Sequence, residues 1–180
     1  MVDSSSDARL VLRLKTGDDE ALAELYTLYR SRVYRFALKL LRDADQAEDV
    51  AQETFLRAGA AIHTLNRAHS LISWLLTIAR NEAYGYLRKA QTEQRIEEDD
   101  VWESATTLDD LVEMETTELV QKMVAGLRPS YREAILLREY EQLSCAEISR
   151  ITGDTEGAVK TRLFRARRAL VKKLKPYLGG

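Results

Sequence analysis

The chain has 180 residues and carries 27 Lys+Arg against 29 Asp+Glu, a formal net charge of −2, which excludes a histone-like or wholly basic nucleic-acid binder. Apolar residues make up 45% and charged residues 31%, the mix of a globular chain and not of a disordered one. Two prolines and eight glycines are too few for the turns of an all-β protein, so a mostly helical chain is expected.

In chain order, the first residues Met1-Val2-Asp3-Ser4-Ser5-Ser6-Asp7 are polar and acidic. A secretory signal would be basic and then apolar, so a cytoplasmic location is expected. From Leu22 the apolar residues Leu22, Leu25, Tyr26, Tyr29, Val33, Phe36, Ala37, Leu40 and Leu41 fall at steps of three and four. That spacing predicts one buried face of a long helix. Gly17-Asp18-Asp19-Glu20 precedes it and offers a break, a cap and an acidic first turn.

A second helix is expected from about 44 to 61. Ala47, Val50, Ala51, Phe55 and Ala58 form its apolar side, and Asp45, Asp49, Gln52 and Glu53 form an acidic and amide stripe opposite. A third is expected over about 70–90, with Leu71, Leu75, Ile78, Ala79 and Leu87 facing inward. Another of its stripes reads Trp74, Thr77, Asn81, Tyr84, Arg88. Aromatics interleaved with Asn and Arg suit stacking on unpaired bases with a guanidinium near phosphate, and they equally suit ordinary core packing. Within this helix, residues 71–79 are the longest charge-free apolar stretch. That is far below the ~18 residues of a membrane span, so no membrane insertion is expected.

Charge then divides the chain. Residues 1–90 hold 13 basic and 12 acidic side chains, 91–126 hold 2 and 11, and 127–180 hold 12 and 6. The near-neutral total is therefore +1, −9 and +6 in sequence, an acidic bridge between a neutral block and a basic one. Glu97-Glu98-Asp99-Asp100 followed by Ser104-Ala105-Thr106-Thr107 lacks hydrophobic periodicity and reads as a linker over 93–113. The fold class expected is all-α, two small helical domains joined by an acidic flexible linker.

Beyond the linker, Ser130-Tyr131-Arg132-Glu133 and Ser144-Cys145-Ala146-Glu147 both match the capping-box pattern and predict helix starts near 130 and 144. Thr152-Gly153 should stop the second of these, with Gly153 left-handed. A new helix from about 155 carries Val159, Leu163, Ala166, Leu170 and Leu174 on one side, and Lys160, Thr161, Arg162, Phe164, Arg165, Arg167 and Arg168 elsewhere. This is a helix-turn-helix with a basic second helix suited to the major groove. Small Ser149 falls where the two helices cross. Thr152 and Asp154 depart from the pattern, being polar where such motifs bury aliphatic groups.

Enzymatic chemistry finds no foothold. The one cysteine, Cys145, excludes an internal disulfide and a thiolate-cluster zinc site, and it reads as a small half-buried side chain. His63 and His69 form no HExxH, and no Gly-rich phosphate loop occurs. No catalytic residues, metal, cofactor or small-molecule substrate is expected. On residues alone, two readings stay open. They are a stand-alone helix-turn-helix regulator with a helical sensor domain, and a helical adaptor that binds only protein.

The order of motifs resembles the bacterial extracytoplasmic-function (ECF) sigma factors of the sigma-70 family. The likeness rests on residues 45–55 (DQAEDVAQETF), 73–81 (SWLLTIARN), 143–148 (LSCAEI) and 157–167 (GAVKTRLFRAR). It implies a transcription initiation factor in which 1–92 is sigma region 2, 93–113 the linker and 114–180 sigma region 4. In the family the acidic helix docks on the clamp helices of the largest subunit of core RNA polymerase, a role that would fall on Asp45, Asp49, Gln52 and Glu53. The next loop and helix open and read the promoter −10 element, implying the loop 62–70 with Trp74, Arg80, Asn81, Tyr84 and Arg88. The C-terminal motif reads the −35 element, implying Lys160, Thr161, Phe164 and Arg165 at bases and Arg162, Arg167 and Arg168 mostly at phosphates. The resemblance also implies control by a separate anti-sigma factor. Gly85 departs from the family, whose members often carry an acidic residue there, and residues 63–69 lack the usual compact run into the Trp-Leu motif.

Overall fold

Every element in the computed structural model is helical, over the described residues 4–65, 70–93 and 116–178. The chain divides into two compact units, Met1–Gln94 and Arg95–Gly180. The expected linker, 93–113, lies almost wholly outside the described residues.

The first unit holds α1 (Ser4–Lys15), α2 (Asp19–Leu41), α3 (Ala44–Ala61), a 3-10 turn (Ile62–Thr64) and α4 (Leu71–Glu93). Asp18 caps α2, its carboxylate accepting from the N–H groups of Glu20 and Ala21. Arg42 ends the helix in the left-handed conformation (φ 65°), its N–H on the Leu38 carbonyl. Asp43 immediately caps α3, accepting from Gln46 N–H at 2.9 Å. Stop and start thus occupy adjacent residues, which brings α3 back against α2. Helices α2, α3 and α4 pack on one another around buried Leu25, Val33, Phe36, Val50, Phe55 and Leu75. Each such side chain contributes about 1.5–3 kcal/mol.

Sequence periodicity did not reveal α1. Among its described side chains the buried ones are Leu10 and Leu14, too short a pattern to detect, and polar ties add to them. The Tyr29 hydroxyl donates to Asp7 at 2.6 Å, Arg13 pairs with Asp18 and Glu24, and Lys15 Nζ donates to the Leu65 carbonyl at 2.7 Å. Burial first, and the Asp7 contact second, raise the Tyr29 phenol far above its ordinary value, so it remains a proton donor.

The second unit holds α5 (Thr116–Ala125), α6 (Pro129–Ile135) running into a π-helical turn (Leu136–Tyr140), α7 (Cys145–Thr152) and α8 (Glu156–Leu178). Helix α8 packs on α5, α6 and α7, with Leu127, Ile135, Leu137, Ile148, Val159 and Leu163 among the buried residues. Leu170 and Leu174 lie against Leu119 and Met123 of α5. The capping box expected at Ser130 does not form. Pro129 takes the first helical position, and Arg128 stands at the N-cap without a side-chain bond. Glu133 is fully buried. Proline's fixed φ starts the helix at Pro129, which places the N-cap at Arg128, two residues earlier than the box requires. The box at Ser144 does form, with Glu147 N–H on the Ser144 hydroxyl and Ser144 N–H on the Glu147 carboxylate.

Candidate nucleic-acid and protein interfaces

In the first unit, α3 buries Ala47, Val50, Ala51, Phe55 and Ala58, which turns Asp45, Asp49 and Gln52 to solvent and leaves Glu53 half-exposed. One face of one helix therefore carries all four residues of the expected docking stripe. Two ties to α4 were not legible in the sequence. Tyr86 donates its hydroxyl to Asp49 Oδ2 at 3.1 Å, and Arg57 bridges Glu53 on its own helix (2.6 Å) and Glu82 on α4 (2.9 Å). The i,i+4 spacing of Glu53 and Arg57 was a readable signal, but Tyr86 and Glu82 reach α3 only through tertiary packing. Between the helices lies an open cleft of about 360 Å³, lined by Asp49, Gln52, Glu53, Leu56, Glu82 and Tyr86.

The polar stripe of α4 divides by depth. Trp74 is only 8% exposed, and its indole N–H reaches the Thr64 hydroxyl at 3.3 Å. It packs beneath the 3-10 turn and does not stand on the surface. Asn81 and Arg88 are exposed, and Tyr84 is half-buried. The Arg80 guanidinium lies 4.4 Å from the Tyr84 ring centroid, a cation–π stack that holds a flat polar plate on this side of the helix. Of the loop 62–70, residues 66–69 lie outside the described residues. Its described start is pinned, with Leu65 buried and its carbonyl bonded to Lys15.

In the second unit the turn between α7 and α8 is built from the residues that looked unfavourable. Gly153 (φ 76°) sends its N–H to the Ser149 carbonyl. The Ser149 hydroxyl donates to the Asp154 carbonyl at 2.6 Å, and Asp154 N–H donates to the Thr152 hydroxyl at 3.3 Å. The Asp154 carboxylate holds Arg162 at 2.6 Å. Thr152 and Asp154 thus satisfy the turn's polar groups and fix α8 against α7, where aliphatic residues would have worked by burial. Helix α8 then buries Val159, Leu163 and Ala166 and exposes Lys160, Thr161, Phe164 and Arg165.

The three expected phosphate contacts differ. Arg162 is held by Asp154, Arg167 is held by Glu139 at 2.6 Å, and the Arg168 guanidinium sits 5.9 Å from the Phe164 ring centroid. Phe164 is 60% exposed and lines an open groove of about 920 Å³ with Tyr131, Arg128, Arg165, Arg168 and Lys172. Such a surface combines positive charge with aromatic faces. Among the described residues, no group of carboxylates, cysteines and histidines is arranged to hold a metal ion. No described helix is long and apolar enough to cross a membrane.

Residues 25–93 match the family model for Sigma-70 region 2, and residues 117–170 match that for Sigma-70, region 4. The chain is similar to the ECF RNA polymerase sigma factor SigM of Bacillus subtilis, at 36% identity over 151 residues, spanning 82% of this chain and 91% of that protein. It is also similar to the RNA polymerase sigma-H factor of Pseudomonas aeruginosa, at 30% identity over 190 residues, covering 99% and 98%. Among solved structures, the sigma factor RpoE in complex with the anti-sigma factor NepR from Bartonella quintana matches with a TM-score of 0.66 and 28% identity, over 85% of this chain and 96% of that one.

Proposed function

The chain belongs to the ECF sigma factors of the sigma-70 family, alternative transcription initiation factors, and from that membership we propose a division of labour among its surfaces. Residues 1–92 act as region 2, which docks on core polymerase and opens the −10 element. Residues 114–180 act as region 4, which reads −35, and 93–113 connect them. Asp45, Asp49, Gln52 and Glu53 meet basic side chains on the clamp helices of the largest polymerase subunit. Asn81, Tyr84 and Arg88, with the Arg80–Tyr84 plate, take the opened −10 strand, and Trp74 supports them from below. Lys160, Thr161, Phe164 and Arg165 face the −35 bases. Arg168 meets phosphate directly, whereas Arg162 and Arg167 do so from the pairs they make with Asp154 and Glu139.

The observation that carries this reading is the pairing, on one chain, of a carboxylate face (α3) with a basic helix-turn-helix (α7–α8). The factor supplies recognition and the polymerase supplies the chemistry, so the chain itself is not an enzyme and acts in the cytoplasm. A base drawn from the stack costs a few kcal/mol, and stacking returns about 1–3 kcal/mol per base. A separate anti-sigma factor restrains it, a reading supported by the likeness to RpoE bound to NepR.

Run-off transcription with purified core polymerase tests this. A promoter-specific transcript should appear only when factor and core are mixed. Tight binding of duplex DNA by the chain alone, with no transcript, would instead mark a stand-alone regulator. Binding of neither DNA nor core would mark an adaptor for another protein. Asp49→Arg should abolish association with core, and intact association would remove α3 from the interface.

A further inference from the structure

We propose that Tyr86 is a positioning residue of the docking face: its hydroxyl holds the Asp49 carboxylate ready for a cation of the polymerase. The face is then a cleft built by α3 and α4 together and not a stripe on α3 alone. This inference rests on the docking role proposed for Asp49. It takes its force from side chains that the motif-bearing segments do not include.

Tyr86 projects from α4 to place its hydroxyl 3.1 Å from Asp49 Oδ2. The Lys89 ammonium lies 5.8 Å from the Tyr86 ring centroid on the same helix, which favours one ring orientation. Partial burial, and then the Asp49 contact, raise the Tyr86 phenol above its ordinary value of 10.0. It therefore stays protonated and donating across the working pH range. A carboxylate has about four acceptor positions, so one bond from Tyr86 leaves Asp49 able to accept from a partner. An exposed aspartate without such a tie would lose its rotamer freedom on docking, at a cost that weakens binding. Tyr86 removes that cost before the partner arrives.

The second tie has the same logic. Arg57 holds Glu53 and Glu82 across the two helices, so both walls of the cleft are fixed. Leu56, 71% exposed, stands beside these carboxylates in the lining. An occupant with a guanidinium flanked by an aliphatic side chain matches this chemistry. Asn81, Tyr84 and Arg88 lie on the same helix as Tyr86 and Glu82, so the element that reaches the docking cleft is also the one proposed to meet the −10 strand.

The test is a double-mutant cycle on the full chain with core polymerase, reading Kd by competition and Tm of the free protein. Asp49→Asn should weaken core binding. Tyr86→Phe should weaken it about three- to tenfold, the range that fixing one side chain represents, with Tm unchanged. The double variant should bind no worse than Asp49→Asn alone. Wild-type affinity in Tyr86→Phe, with Asp49→Asn impaired, overturns the role of Tyr86 and leaves the docking face standing. A full additional loss in the Asp49→Asn background shows that Tyr86 acts elsewhere, and also overturns it. Wild-type affinity in Asp49→Asn removes the docking face, and the inference with it.

Discussion

Arg165 and Arg162 are three residues apart on one basic helix, yet the fold assigns them different work. Arg162 is half-buried and spends its guanidinium on Asp154, whereas Arg165 is exposed in the groove beside Phe164. The family resemblance already divides them, implying bases for Arg165 and phosphate for Arg162, and the structure adds the Asp154 pair that holds Arg162. Arg165→Ala should therefore relax selectivity at one −35 position, at a cost of about 1–3 kcal/mol. A panel of single-base promoter variants in open-complex assays checks this. An equal loss at every sequence would recast Arg165 as a phosphate contact. Arg162→Ala should show its damage first in Tm, because it leaves Asp154 in the turn without its cation. Trp74 makes the same point from the other direction. A helical aromatic beside polar neighbours suited either core or surface, and only the packing of α4 under the 3-10 turn decided for the core.

Helix boundaries were legible wherever a short-range polar contact makes them. Asp18, Asp43 and Ser144 cap as their residue types direct, because a cap bond spans only two or three residues. The box at Ser130 was misread because Pro129 competes for the same start. Ser144→Ala should cost about 0.5–2 kcal/mol, measured by thermal unfolding of the full chain. That box is also pH-sensitive. Burial works to raise the Glu147 carboxyl, but the N–H and hydroxyl of Ser144 outweigh it, and its pKa lies below the ordinary 4.5. Stability from a depressed carboxylate is complete above the unfolded value and is lost as pH falls through the folded one. The destabilisation caused by Ser144→Ala should accordingly be full at pH 7 and shrink as pH falls below the ordinary carboxylate value of 4.5. Unfolding curves on both sides of that value read the difference. Gly85 is the opposite case, a local penalty without a local reason. Helix α4 runs through it unbroken, and an added Cβ would meet nothing within 4 Å. Gly85→Ala should thus stabilise the first unit by about 0.5–1 kcal/mol, read as a rise in Tm. Changed promoter opening in this variant would show that the glycine serves the −10 strand.

For the whole molecule, the partition of charge into +1, −9 and +6 sets how it meets DNA. Neither the neutral block nor the moderately basic one holds enough excess cation for tight binding alone. The free chain should bind promoter duplex no better than the ~10⁻⁴–10⁻⁶ M of non-specific complexes, and the complex with core should bind far more tightly. Fluorescence anisotropy with and without core, at two salt concentrations, reads both the affinity and the number of phosphates engaged. The all-helical class, the division around an acidic segment and the helix-turn-helix were all determined by the sequence. Each follows from short-range rules, namely apolar periodicity, caps and runs of charge. Tertiary structure alone decided that α1 joins the first unit through Tyr29–Asp7 and Lys15–Leu65, that Asp154 takes Arg162, and that Tyr86 reaches Asp49 across 37 positions. Those contacts join residues whose spacing in sequence carries no periodic signal, and they exist only because buried faces elsewhere fix where the helices lie.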